Sequence, residues 1–383
     1  MTRALPVGYI PLVDAAPLIV AAEFGFAEEE GLVLELRRAA SWSMLRDMLD
    51  FGQVAAAQML SVVPVARALS LGGGAQPLEA LMVMALNGQI FGLGPHLPAL
   101  PFGDPLAAGQ ALAALNRPLR IGVPFPFSMQ AELLAYWLER AAPRAEVQIR
   151  TVPPPRMAEA LRAGEVDGFC VGEPWGSQAV EQAGARLVWP GSAIWCQAPE
   201  KVLATRAGWA EAEPERAGRL IRALWRATRW MADPANRVTL SAVLARRDHL
   251  DVGAELIDRA LSHRLLIAPT GPEIVVPQFQ TFHHGLANFP WRSQAGWIGA
   301  RLAGRFGLPL PAALETARAT FRSDLYRSHI APLGVSLPRA SDKAEGALAR
   351  DESLPGTHGP LTLARNQFFD GRIFDPAPAI SPK

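Results

Sequence analysis

Residues 1–38 read MTRALPVGYIPLVDAAPLIVAAEFGFAEEEGLVLELRR, and this opening stretch sets the fold. A short apolar strand, a proline-bearing turn, an apolar helix and a second strand, LVLELRR (32–38), follow one another within the length of one βαβ unit. The apolar run after Arg3 is not patterned as a signal peptide. Pro6 and Pro11 interrupt it, Asp14 places a charge in it, and no small-residue cleavage site follows cleanly. The unit begins within the first ten residues, which leaves no room for an export signal and gives the expectation of a cytoplasmic protein.

The alternation continues outward from this unit. SWSMLRDMLDFG reads as a helix begun by a Ser cap, VAAAQML as a strand, and VVPVARALSLGGG as a helix stopped by Gly72, Gly73 and Gly74. Strand ALMVMAL (80–86) leads into NGQIFGLG. A second series follows: strand RPLRIGVPF, helix MQAELLAYWLERA, strand VQIRTV, helix PRMAEALRAG and strand VDGFCV. Such order predicts an α/β fold with a largely parallel sheet and helices on both faces. Beyond residue 201 the pattern is helical, from Glu211 to about Asp233, then around 235–263 and 293–322. The end, FFDGRIFDPAPAISPK, reads as an extended strap or a frayed tail.

At 383 residues the chain exceeds the size at which one hydrophobic core stops growing, so two lobes are expected. The boundaries read as 1–86 for the first part of lobe 1, 87–198 for lobe 2, and 199–383 for the return to lobe 1 with a C-terminal strap. Half the residues are hydrophobic, yet no apolar run is long enough to span a bilayer without charge or proline. No membrane role is expected. The net charge of +1, with both signs interspersed, argues against direct nucleic-acid binding. Cys170 and Cys196 lack metal-ligand spacing and read as a reduced pair.

Lysine usage is lopsided: Lys201, Lys343 and Lys383 are the lysines among 37 basic residues. A compact ammonium in place of arginine's wide fork suits a small anion in a tight pocket, whereas an ordinary lysine lies on a solvated surface. A chain that builds one lobe, crosses to a second and returns has the pattern of bilobal solute-binding proteins, whose ligand sits in the crevice at the strand ends.

Several blocks in order carry a resemblance. GYIPLVDAAPLIVAAEFGF (8–26), ASWSMLRDML (40–49), AAAQML (55–60), LNGQ (86–89), PPPRM (153–157), DGFCVGEPW (167–175), PEKVLATRAGW (199–209) and FFDGRIFDP (368–376) closely resemble the nitrate and bicarbonate solute-binding proteins of ABC transporters. The likeness runs over nearly the whole chain and implies a two-lobed, type II periplasmic-binding-protein-like fold without catalysis or cofactor. With no export signal expected, the chain looks like the NasS-type cytoplasmic nitrate/nitrite sensors. That likeness implies a partner of the NasT type, an RNA-binding response regulator and antiterminator with an ANTAR domain.

The resemblance implies that Trp42, Gln89 and Lys201 occupy the family's anion-binding positions. Gln130 stands where the nitrate transporters have a histidine, a departure that keeps a donor and removes a titratable group. The bicarbonate-binding relatives place an acidic residue at the position of Lys201, so the lysine favours nitrate or nitrite. The chemistry agrees: nitrate is a flat monoanion that only accepts hydrogen bonds, and an ammonium, two amides and an indole supply donors and charge. Taken singly, Trp42 reads as a core aromatic, Gln89 as a turn residue and Gln130 as a helix-surface amide. An unpaired buried ammonium is costly, so the empty site is expected to hold water or another anion, or to stay open. Asp14 is expected to cap the first helix or face the cleft, and Glu173 and Trp175 to line its mouth or set a turn.

No metal site is expected, because the His283–His284 pair lacks a third ligand at a suitable spacing. Two other readings stay open. One is the solute-binding component of a nitrate ABC transporter. The other is an enzyme like those of thiamine-pyrimidine synthesis, in which Lys201 would carry pyridoxal phosphate.

Overall fold

The computed structural model describes residues 4–74, 76–115 and 117–376; the last part of the expected C-terminal tail, 377–383, lies outside the described residues. Strand β1 (Leu5–Tyr9) pairs in parallel with β2 (Leu34–Arg38), from Leu5 opposite Leu34 to Tyr9 opposite Arg38. Between them runs the helix Ala16–Glu23, with Pro17 in its first turn, where a missing N–H costs nothing. The opening βαβ unit thus forms where its sequence places it.

Strands β3 (Ala56–Leu60) and β4 (Leu78–Asn87) extend this sheet, and β5 (Gln89–Leu93), β6 (Leu119–Val123), β7 (Val147–Thr151), β8 (Gly168–Gly172) and β9 (Arg186–Pro190) build another. The chain then returns through β10 (Pro199–Arg206). A hairpin of β11 (Arg264–Leu266) and β12 (Glu273–Val275) follows, then β13 (Gln280–Thr281), and a last hairpin of β14 (Glu352–Pro355) and β15 (Pro360–Leu363). The six-stranded sheet has the order β13-β4-β10-β3-β1-β2 and the five-stranded sheet β7-β6-β8-β5-β9. Both match an α/β architecture.

Neither sheet is largely parallel, which corrects the expectation from alternation. β10 lies antiparallel between β3 and β4, and β5 lies antiparallel between β8 and β9. The reason is the crossover. β4 and β5 are separated by Gly88 alone, and the strands on which the chain enters a sheet after each crossover, β5 and β10, run against those of the βαβ units. Gly88 is required there: its φ is +90°, and a Cβ would lie 2.7 Å from Cδ of Gln280.

Packing follows the apolar periodicities. The helix Pro214–Met231 buries Ala217, Leu220, Ile221, Leu224, Ala227 and Met231, which share one face at helical periodicity, and contacts the helix Ala16–Glu23. Each buried Leu or Ile contributes about 1.5–3 kcal/mol relative to exposure. Behind the second sheet, Phe91, Trp137 and Trp189 pack with ring centroids 5.0–5.4 Å apart.

The C-terminal segment is a strap up to residue 376. Phe368 stacks on Trp195 at 4.9 Å and on Trp297 at 5.8 Å, and the Tyr136 hydroxyl donates to Asp370 at 2.9 Å. Aromatic burial, invisible in the Pro/Gly-rich composition, anchors it. Among the described residues no helix is long and apolar enough to cross a membrane.

Candidate functional site

The site is built where the carboxyl end of β1 meets the second sheet. Residues after β1 turn through the short segment Val13–Ala15, which carries Asp14 inward. Gln58 on β3 holds that carboxylate: its Oε1 accepts from Ile10 N at 2.9 Å, and its Nε2 donates to Asp14 Oδ1. Asp14 Oδ2 lies 2.8 Å from the ammonium of Lys201 on β10. Asp14 therefore pairs with Lys201 and does not cap the first helix, which has no side-chain cap.

Glu200 completes the pairing. Lys201 Nζ donates to Glu200 Oε1 at 2.5 Å, and Gln130 Nε2 donates to the same oxygen at 2.6 Å. In a regular strand consecutive side chains point to opposite faces. Here the register between β10 and β4 shifts between Pro199 and Lys201 and again between Lys201 and Val202, and this irregularity lets Glu200 and Lys201 reach one place. Lys201 and Glu200 are both 0% exposed and Asp14 2%, so the surface-lysine reading is excluded.

The charge balance of this cluster differs from that of a bare ammonium. Burial pushes the Asp14 carboxyl above its usual range against the pull of Lys201. Burial likewise pushes Glu200 up, with Lys201 lowering it and Asp14 raising it further. For Lys201, burial acts to lower the pKa, but Asp14 and Glu200 together outweigh it and hold the ammonium charged. The expected empty site, open or filled by water or an anion, is corrected accordingly. The protein's own carboxylates satisfy the buried ammonium.

Donors surround this core. Trp42 opens the helix Trp42–Asp50, whose Ser41 cap accepts from Met44 N at 3.2 Å, as its sequence predicts. Its ring centroid lies 5.3 Å from Lys201 Nζ, within cation–π reach, and its buried Nε1 has no partner among the described residues. Ser128 caps the helix Met129–Ala141 and fixes Gln130 in the first turn, where it is buried rather than on a helix surface. Gln89 stands directly opposite Gly172 across the β5–β8 pair, and a Cβ on Gly172 would lie 3.7 Å from Asp14 Oδ2 and 4.0 Å from Gln130 Nε2. Both amide atoms of Gln89 are buried without a partner among the described residues, as are Gln130 Oε1 and Glu200 Oε2.

The GEPW loop closes the site. Val13 N donates to Glu173 O at 2.9 Å, and Trp175 Nε1 donates to Pro11 O at 2.9 Å, so the loop after β8 clasps the turn after β1. Glu173 Oε2 accepts from Ser177 N at 3.1 Å and so caps the first turn of the helix Trp175–Ala183. Its Oε1 is buried without a partner among the described residues, and burial raises the carboxyl to about 7. Glu173 and Trp175 are thus buried closing contacts.

The first part of the chain decides the family: the NMT1-like family model matches residues 1–245. The chain belongs to the NMT1-like family. Among the relatives of this NMT1-like protein, the nitrate import ATP-binding protein NrtC of Synechococcus elongatus is 32% identical, over 89% of this chain and 52% of that one. The bicarbonate transport ATP-binding protein CmpC of the same organism is 31% identical, over 87% of this chain and 50% of that one. The chain spans about half the length of these relatives. The crystal structure of the periplasmic nitrate-binding protein NrtA from Synechocystis PCC 6803 superposes with a TM-score of 0.82 at 25% identity, covering 97% of this chain and 95% of that one. The fold is that of the periplasmic binding proteins.

The structure of the NMT1-like chain brings Asp14, Trp42, Gln130 and Lys201 together, and sets Gln89 on the strand facing them. The sequence reading missed Glu200 and Gln58. Gln58 was legible in principle, as a polar residue inside the apolar strand AAAQML; Glu200 was not, because the strand irregularity that turns it inward leaves no mark in sequence. Elsewhere, His283 bonds Asn288 Oδ1 at 3.0 Å and His284 bonds Asp351 at 2.8 Å, so the histidine pair is divided between separate contacts. Glu23, Asp248 and His249 cluster as metal-type ligands, but Arg246 pairs with both carboxylates, at 2.7 and 3.0 Å, which opposes a cation there. Cys170 and Cys196 are free thiols.

Proposed function

We propose that this NMT1-like protein binds a small monoanion, nitrate or nitrite, in the cleft between its two sheets, and that Trp42, Gln89, Gln130 and Lys201 contact it. The observation that carries this reading is a buried ammonium beside the indole of Trp42, whose N–H has no partner among the described residues, with the unpartnered buried amide of Gln89 on the strand facing them. An anion rich in acceptor oxygens satisfies such donors, and buried polar groups in folded proteins are ordinarily satisfied. The similarity to NrtA and NrtC favours nitrate, and the lysine at position 201 favours it over bicarbonate. We take 1–86 with 199–383 as one lobe and 87–198 as the other, with anion entry requiring the clasp at Pro11 and Val13 to part.

The finer reading is a sensor that binds its antiterminator partner, a NasT-type ANTAR protein, when anion-free, and releases it when the anion favours the closed lobes. The competing reading, the solute-binding part of a transporter, is supported by the transport roles in the names of the relatives. Calorimetry against nitrate, nitrite and bicarbonate tests the ligand: saturable binding of nitrate or nitrite supports it, and binding of bicarbonate alone overturns it. Size-exclusion of a co-purified complex titrated with nitrate separates the two roles, since a sensor's complex dissociates and a transporter component forms none.

A further inference from the structure

The cluster around Lys201 carries two carboxylates and one ammonium. With all three ionised its net charge is −1 before any anion enters, and a bare monoanion would make it −2 in a fully buried place. Doubling a buried charge is strongly unfavourable at low effective dielectric. One proton taken up with each monoanion leaves the net charge of the cluster unchanged.

The geometry shows which oxygen can take that proton. Asp14 has both oxygens engaged, Oδ1 by the Gln58 amide and Oδ2 by Lys201. On Glu200, Oε1 receives both Lys201 and Gln130, while Oε2 is buried with no hydrogen-bond partner among the described residues. A carboxylate oxygen without a donor is the least stabilised form of that atom. Once protonated it becomes an O–H donor, which is what an anion's oxygen requires.

We propose that Glu200 is a direct anion-binding residue that acts in its protonated form, so that nitrate enters the site together with one proton, held on Glu200 Oε2. The proposal rests on the nitrate reading above. The other titratable groups facing Glu200 are Asp14 from the turn after β1, Lys201 beside it on β10, and Cys170 on β8. Asp14 is tied to Lys201 and Gln58. Cys170 is held well above the usual thiol range, first by burial and then by the Glu200 charge, so it stays a neutral thiol. Burial also raises the Glu200 carboxyl above its ordinary range, against the lowering pull of Lys201.

The test uses the full chain with nitrate as the probe, because nitrate itself does not titrate near neutrality. Calorimetry in two buffers of different ionisation enthalpy, repeated over about pH 6–9, reads the protons taken up. One proton per nitrate is expected where Glu200 is ionised in the free protein, with affinity falling about tenfold per pH unit there. Glu200→Gln keeps the size and supplies a permanent N–H donor, so this variant should bind nitrate with no proton uptake and no pH slope. Nitrate binding by the wild type with zero uptake over the whole range overturns the proposal and leaves the nitrate reading intact. Uptake that persists in Glu200→Gln overturns Glu200 as the carrier. Absence of nitrate binding by both proteins at every pH overturns the nitrate reading and the proposal with it.

Discussion

Replacing Lys201 with Met tests the buried cluster most directly, because it removes the charge and keeps most of the volume. Lys201 is 0% exposed and lies 2.8 Å from Asp14 and 2.5 Å from Glu200. Deleting one partner of a buried pair leaves an uncompensated charge and costs about 3–5 kcal/mol. The variant can relieve this by protonating the carboxylates, so the cost depends on pH. Both carboxyls already sit above their ordinary range through burial, and loss of Lys201 removes the interaction that lowers them. A carboxyl raised in the folded state is no burden below its unfolded value, about pH 4, and destabilises increasingly as pH rises toward its folded value. Urea unfolding of wild type and variant at several pH values is the assay. The variant should lie about 3–5 kcal/mol below wild type near pH 8 and converge on it toward about pH 4–5. Adding Glu200→Gln to the variant should recover part of the loss at high pH. A Lys201→Met protein within about 1 kcal/mol of wild type at pH 8, with no pH trend, would refute the paired cluster. Charge reversal with Glu is a poorer probe, since a third buried carboxylate confounds lost binding with lost folding.

Two further outcomes follow from the closing loop. Glu173 is raised to about 7 by burial, so its carboxyl costs nothing below its unfolded value, in the ordinary carboxylate range, and destabilises increasingly as pH rises from there to about 7; Glu173→Gln should nearly match wild type near pH 4 and exceed it by about 3 kcal/mol near pH 8 in the same unfolding assay. Equal stability at both pH values would contradict a buried, proton-bearing Glu173. Trp175→Phe removes the 2.9 Å bond to Pro11 O and keeps an aromatic ring; loss of about 1 kcal/mol from the closed form should weaken nitrate binding about fivefold, read by calorimetry with circular dichroism unchanged. Unaltered affinity would separate this contact from ligand capture.

The opening stretch at 1–38 determined the βαβ unit because proline placement, apolar runs and turn residues are local, and the Ser41 and glycine signals around the next helices are local too. The resemblance of ordered blocks was likewise a property of the linear chain, and it singled out Lys201 and Trp42 before any packing was known. Strand direction was not local. It came from the single-residue crossover at Gly88 and the return through β10, which insert antiparallel strands among parallel ones. The charge state of the site depended on tertiary structure as well. Asp14, Gln58, Gln130 and Lys201 come from four separate elements, and Glu200 joins them through a register shift that period-two alternation forbids. A sequence shows which donors and carboxylates exist; burial and distance decide which carboxylates neutralise the lysine, and therefore how much charge is left to attract an anion.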